Sequence, residues 1–386
     1  MMEVFMHPCT FWSDRISGFA RYHCELAAHL MQLGVNVHIP IRETPNENLK
    51  TASFFPQTSA EAPGIPLAAR AIRLMLSHTP YAVKGNRHAL REEIRKYMRT
   101  GHHFDVIHPT HTNAYDLIPF IGKTPLVLTV HDMTHEIYPH LFKNDPTAQR
   151  KLDYARRADR IIAISECTKR DLVAICGIEP EKIDVIHHGN SLVLPPDAAT
   201  RPMDLPERYV FFVGKRPGYK NFDTFLKAFA ELAAEDGELQ LVCAGGGAFT
   251  ESERELISAL HLSGRVSQRW VTDEELAIMY HRSQVFVYPS AYEGFGLPLL
   301  EAFSCGAPVL CARASCFPEI AGDGADYFPA DDAAAMATAI KRVLESQDYA
   351  NHLRARGEER LTHFSWQRCA AETKATYQKA IDQKKP

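Results

Sequence analysis

At 386 residues the chain is too long for one ordinary domain and comfortable for two of about 150–200 residues each. Its make-up, 45% apolar and 23% charged with a formal charge of −4, is that of a globular protein and carries no global sign of nucleic-acid binding. No window approaches 18 apolar residues, which argues against a membrane-spanning helix. The start, MMEVFMHPCTFW, lacks a basic segment followed by a long apolar one, so no signal peptide is expected. The nine cysteines form no C-x-x-C pair and sit in apolar runs such as LQLVCAGGG, as reduced core thiols of a cytosolic protein would.

Taken in order, the first clear helix is GFARYHCELAAHLMQLG, periodic in its apolar residues and closed by Gly34. VNVHIPI (35–41), FDVIHP (104–109), PLVLTVHD (125–132), RIIAIS (160–165) and IDVIHHG (183–189) read as buried strands. Strand–helix alternation of this kind predicts a parallel sheet covered on both faces. The stretch 77–103 differs. Its part KGNRHALREEIRKYMRTGHH carries six Lys/Arg against two Glu, which suits a solvated helix face or an amphipathic helix lying on anionic lipid.

SLVLPPDAATRPMDLPER (191–208), with four prolines and little periodicity, reads as a linker. After it the alternation restarts with YVFFVG, LQLVCAGG, VFVYPS and APVLCA, separated by helical runs such as NFDTFLKAFAELAAE. The expected architecture is therefore α/β, two doubly wound units joined near residue 200. Ligands of such sheets bind beyond the carboxyl ends of the strands, so the cleft between the units is the default site.

The residues able to do chemistry collect at those strand ends. In SAYEGFGLPLLEAFSCGAPV a strand end passes through AYEGFG into a helix that tolerates Pro298 in its first turn. Gly294 and Gly296 let the backbone approach a ligand, and the helix start offers free N–H groups to a diphosphate. Glu293 stands before that start, where it can accept from sugar hydroxyls. Glu301, about two turns on, can accept from the two hydroxyls of a ribose. A capped helix with one solvated acid is the plainer reading of the same spacing. FFVGKRPGYKNFDTF repeats the strand–loop–helix pattern with Lys215, Arg216 and Lys220 in the loop, cations suited to a departing diphosphate. On the first half, His108, His111, His131 and His187 end strands or follow them, and all are expected to face the crevice. His131 and His135 stand four apart in HDMTH, but the motif is not H-E-x-x-H and follows a strand, so metal ligation is the lesser reading. Gly18, in the first strand-to-helix loop, could present backbone N–H groups to the same phosphate.

Together these stretches resemble the E-x7-E signature and flanking motifs of the retaining glycosyltransferases of family 4. SGFARYHCELAAHL, TVHDMTHEIYP, AISECTKRDL, FFVGKRPGYKNF, YPSAYEGFGLPLLEAF and the terminal FSWQRCAAETKATYQKAI follow the family's order. The resemblance implies the GT-B fold. A first, acceptor-side unit would span 1–195 and a nucleotide-sugar-binding unit 206–364, with residues 365–386 crossing back to the first unit. It also implies roles. Glu293 would meet the donor sugar, and Gly294, Phe295 and Gly296 would offer it backbone N–H groups. Glu301 would bind ribose; Lys220, with Lys215 or Arg216, would bind the diphosphate; and His131 would line the sugar. Val271 and Asp273 fall where the family contacts the base. The family often has Gly-Gly in the first loop, where this chain has Ser17-Gly18.

The activity implied is metal-independent, retaining transfer from a nucleotide sugar, with no cofactor. GKRPGYKNF looks most like bacterial mannosyltransferases, which points to GDP-mannose and to a lipid-linked or growing cell-surface saccharide as acceptor. A nucleotide-sugar 2-epimerase of the same architecture and a non-catalytic nucleotide-sugar-binding subunit are the alternatives. The expected location is cytoplasmic, with the basic stretch 84–103 able to touch the membrane face.

Overall fold

The computed structural model describes residues 1–11, 18–40, 94–99, 101–109, 121–216 and 218–385, together with 46, 48, 49, 52, 54 and 117. His111, Ser17 and most of the basic stretch 84–103 lie outside these residues.

Two parallel sheets organise the chain. In the first unit, β1 (Met2–Met6) lies between β2 (Val35–His38) and β3 (Val106–His108). A second trio runs β4 (Val127–Val130), β5 (Arg160–Ala163) and β6 (Ile183–Val185), and an Ile107–Leu126 bridge joins the trios. The second unit holds one six-stranded sheet in the order β12-β11-β10-β7-β8-β9. Its strands are β7 (Tyr209–Val213), β8 (Gln240–Ala244), β9 (Val266–Arg269), β10 (Val285–Tyr288), β11 (Val309–Ala312) and β12 (Asp326–Phe328). β4, β5, β10 and β11 are buried at every residue. That explains why the sequence shows continuous apolar runs there rather than alternation.

The helices used below are α1 (Gly18–Gln32), α2 (Thr147–Arg157), α3 (Glu166–Cys176), α4 (Phe222–Glu235), α5 (Glu251–Ala259), α6 (Asp273–Arg282), α7 (Leu297–Ser304) and α8 (Trp366–Asp382). α1 buries Ala20, Tyr22, Leu26, Ala27 and Leu30 along one stripe. α3 begins at Ser165, whose hydroxyl accepts from Thr168 N–H, and ends at Gly177 in the left-handed region. Thr250 and Thr272 start α5 and α6 with reciprocal Glu253 and Glu275 bonds.

α8 returns to the first unit. Trp366, Cys369, Ala370, Tyr377 and Ala380 share one core with Tyr22, Leu26 and Leu30 of α1 and with Val4 and Val106. Trp366 Nε1 donates to Ser191 Oγ at 2.7 Å. Gly189 is needed at the crossing, because a Cβ there would come within 2.3 Å of the Trp366 backbone nitrogen. The cysteines from Cys24 to Cys369 are free thiols, and no helix among the described residues is long and apolar enough to cross a membrane.

Candidate active site

The carboxyl ends of β4 and β10 meet across the cleft. A Cβ on Gly294 would lie 1.7 Å from the His131 carbonyl oxygen, so glycine is what lets the two backbones touch. Ser165 Oγ donates to the Gly294 carbonyl at 2.7 Å, and Met133 N–H donates to the Tyr292 hydroxyl at 3.1 Å. The Gly18 end of α1 abuts Leu297 at the start of α7.

Around this contact the second unit sets its charges. Lys220 Nζ lies 2.5 Å from Glu293 Oε1. Burial works against the ammonium, but the Glu293 carboxylate outweighs it and the pKa of Lys220 rises. Glu293 N–H donates to Ser315 Oγ at 3.0 Å, which fixes the loop. Among the described residues, the N–H groups of Gly294, Phe295 and Gly296 have no acceptor. They form a run of donors at the mouth of α7, where Gly296 adopts φ +95°. Lys215 is exposed.

Glu301 sits in α7, nearly buried. Its Oε2 accepts from Tyr280 at 3.3 Å, and its Oε1 lies 3.4 Å from Arg21 Nη1. Burial raises its pKa, with Arg21 pulling the other way. Arg21 Nη2 also donates to both oxygens of Asp273 at 2.8 Å. One guanidinium from the first unit thus joins the carboxylates expected for ribose and base. Nothing in the motifs singles out Arg21. A signal existed: a cation in the first turn of a helix opposes the helix dipole and needs a reason. Val271 lines a cavity of about 500 Å³ with Met203, Arg269, Trp270 and Glu275.

Several expectations are corrected. Arg216 does not face a phosphate. Its buried guanidinium bonds Glu253 at 2.8 Å and the carbonyls of Gly245, Gly247 and Ala248, holding the triple-glycine loop. Arg216 therefore leaves Lys215 as the neighbouring cation at the surface. His108 is a core group, bonded to Tyr377 Oη at 2.6 Å and Thr129 Oγ1 at 2.8 Å. His187 pairs with Glu319 at 2.7 Å, beside the Glu166 and Cys167 N–H groups that the same carboxylate accepts. His135 turns toward Asp145 and Phe142, away from His131. Phe295 packs its ring against His188 and Phe364.

His131 stands at the end of β4, ringed by Phe19, Tyr22, His23 and His188. Burial lowers the pKa of His23 to about 4, and those of His7, His108 and His188 to about 3. No trio of His, Cys, Asp or Glu among the described residues is arranged to hold a metal.

Residues 16–192 match the family described as Glycosyltransferase Family 4, and residues 198–360 the family described as Glycosyl transferases group 1. The chain is 30% identical to an MMP α-(1→4)-mannosyltransferase of Mycolicibacterium hassiacum, over 72% of this chain and 71% of that one. It is 29% identical to a D-inositol 3-phosphate glycosyltransferase of Nocardioides, over 72% and 68% respectively. Over 108 residues, 28% of each chain, it is 40% identical to the O-antigen chain mannosyltransferase B of Escherichia coli. The fold superposes on sucrose-phosphate synthase from Thermosynechococcus elongatus with a TM-score of 0.74 at 20% identity, over 99% of this chain and all of that one.

Proposed function

Because this chain belongs to the family 4 glycosyltransferases and has their two-unit GT-B fold, we propose that it transfers mannose from GDP-mannose, with retention, to a lipid-linked or growing cell-surface saccharide. The observation that carries the reading is the mouth of α7, where Lys220 and Glu293 stand beside three donor N–H groups and face His131 across the Gly294 contact. In this reading the N–H run and Lys220, with Lys215 nearby, hold the diphosphate and take up its charge as it departs. Glu293 and His131 hold the sugar. Glu301 accepts from the ribose hydroxyls, and Gly18 closes the phosphate side. The acceptor hydroxyl attacks from the face the leaving group vacates, and the departing phosphate takes its proton.

Asp273 supports guanine as the base. A carboxylate that already accepts a guanidinium at 2.8 Å suits the paired N1–H and N2–H donors of guanine, which uracil lacks. A cavity lined by Trp270, Val271 and Glu275 lies next to this segment. The mannosyltransferase names among the relatives support the sugar, and the O-antigen name supports a surface saccharide. An acceptor on lipid would bring the chain to the cytoplasmic face of a membrane.

A thermal-shift panel of GDP, UDP, ADP and their sugar conjugates tests the donor. A ligand at a hundredfold excess over Kd stabilises by about 2.7 kcal/mol, a shift of a few degrees for units of this size. GDP and GDP-mannose should protect most. Stronger protection by UDP compounds would remove the mannosyl reading, and no protection by any nucleotide would remove donor binding altogether. Release of GDP from GDP-mannose should persist in EDTA, since Lys220 and the start of α7 supply the positive charge. Loss restored by Mg²⁺ would overturn that.

A further inference from the structure

Lys151, in the middle of α2, is wholly buried. Its ammonium donates to the Asp132 carbonyl oxygen at 2.7 Å and to Glu136 Oε2 at 2.8 Å, and lies 3.9 Å from Asp132 Oδ1. Glu136 is itself nearly buried, and its Oε1 has no partner among the described residues. A buried ion pair is a poor way to gain stability. Apolar groups of the same size would hold α2 to the turn Thr134–Ile137 as well or better, because both charges have left water. What an apolar side chain cannot do is donate to a chosen carbonyl.

That carbonyl belongs to the residue after His131. The segment His131–Met133 is gripped from the cleft side by the second unit, through Gly294 on the His131 carbonyl and Tyr292 on the Met133 N–H. Lys151 grips it from behind, at the residue between. Asp132 then closes the start of the turn by accepting from Thr134 N–H at 2.9 Å. The Asp132 carbonyl and the Met133 N–H belong to one peptide, so Lys151 from behind and Tyr292 from the cleft pin the 132–133 plane between them; without the rear anchor that plane is held at its N–H alone, and the backbone that carries His131 into it loses its fixed angle.

We propose that Lys151 is a positioning residue, which fixes the 132–133 peptide and through it the backbone at His131, and so aims the His131 ring at the donor sugar. The inference rests on the reading of His131 as a sugar-side group. It carries a distinctive expectation: removing the pair leaves stability intact and turnover damaged. A small displacement at a reacting centre slows the reaction far more than it weakens the fold.

The test uses the full chain with Lys151→Met and Glu136→Gln combined, which removes both charges at nearly constant volume. The melting temperature should stay level or rise, GDP affinity should hold within about twofold, and kcat for GDP release from GDP-mannose should fall at least about tenfold. Lys151→Gln with Glu136→Gln, whose amide can donate to the Asp132 carbonyl, should recover part of the rate. Unchanged kcat in the Met variant would overturn the proposal. So would a parallel fall of stability and affinity, which would make Lys151 structural. If the unaltered chain binds no nucleotide, the donor reading fails first and takes this inference with it.

Discussion

On the first unit's side of the cleft, His23, His108 and His188 lie among Tyr22, Trp366 and Tyr377, wholly buried and held neutral. On the second unit's side, Lys220–Glu293 and Arg216–Glu253 are paired ions within 2.8 Å. One wall is stiffened by aromatic packing around uncharged imidazoles. The other is organised by ion pairs, one at the mouth of α7 and one holding the triple-glycine loop. On the proposed function, the first wall supplies a fixed shape and the second meets the diphosphate at Lys220. The two walls should therefore fail under different stresses.

Acid should attack the first wall, and this is the largest effect expected. An imidazole with a folded-state pKa of about 3 or 4 is neutral in the folded chain, whereas the unfolded chain takes up the proton below about 6.5. Above pH 6.5 such groups cost nothing. Stability then falls as pH drops from 6.5 toward 4. At pH 5 the loss is about 2 kcal/mol for each of His7, His23, His108 and His188, together on the order of a whole domain's stability. Melting curves from pH 7.5 to 5 should show a steep fall, less steep in His188→Phe. A flat profile would mean the cluster is not held neutral.

The next effect lies where the walls touch. Gly294→Ala would put a methyl group on the His131 carbonyl, so the walls must separate. Turnover should drop roughly a hundredfold, as expected for a displacement of about an ångström at a reacting centre. Steady-state kinetics checks this, and near-normal kcat would mean the walls part during turnover. Glu301→Ala should then weaken nucleotide binding by about 1–3 kcal/mol, measured by calorimetry. Unchanged affinity would remove the ribose assignment. The smallest effect belongs to Asp273→Asn, which leaves Arg21 its buried partner Glu301. The Asp273 partner is half exposed, so loss of the pair should cost about 1 kcal/mol or less. It should also flatten the dependence of melting temperature on salt, and an unchanged salt dependence would show that the pair adds nothing to holding the units together.

The sequence made the walls legible to different degrees. β4, β5, β7, β8, β10 and β11 announce themselves because burial on both faces demands unbroken apolar runs. β1 hides behind Glu3, whose side chain bonds Asn36 and His38 of the neighbouring strand β2. β9, reading Val-Ser-Gln-Arg, is a half-buried edge strand with little apolar signal, and β12 is three residues long. The α7 loop was readable because glycine, acid and helix start lie within one short stretch. The partners that set its electrostatics were not. Arg216 finds Glu253 and Arg21 finds Asp273 only through the fold, from 37 and 252 residues away. The histidines show the same limit: strand ends could be located, but whether a ring faces the cleft or the core depends on what packs behind it. For His108 that is Tyr377 of α8.

The return of α8 also has a consequence for how the chain is made. Trp366 and Tyr377 lie in the same core as strand β1, so residues from widely separated parts of the chain complete a single packed interior. While the ribosome is still producing the second unit, the groove beside α1 lacks its filling and His108 lacks its phenol. The second unit, whose sheet draws only on residues 209–328, has no such debt to later sequence. Units of a chain usually mature in the order of synthesis. Here the later-made half can reach its final packing first, and the earlier half is sealed last.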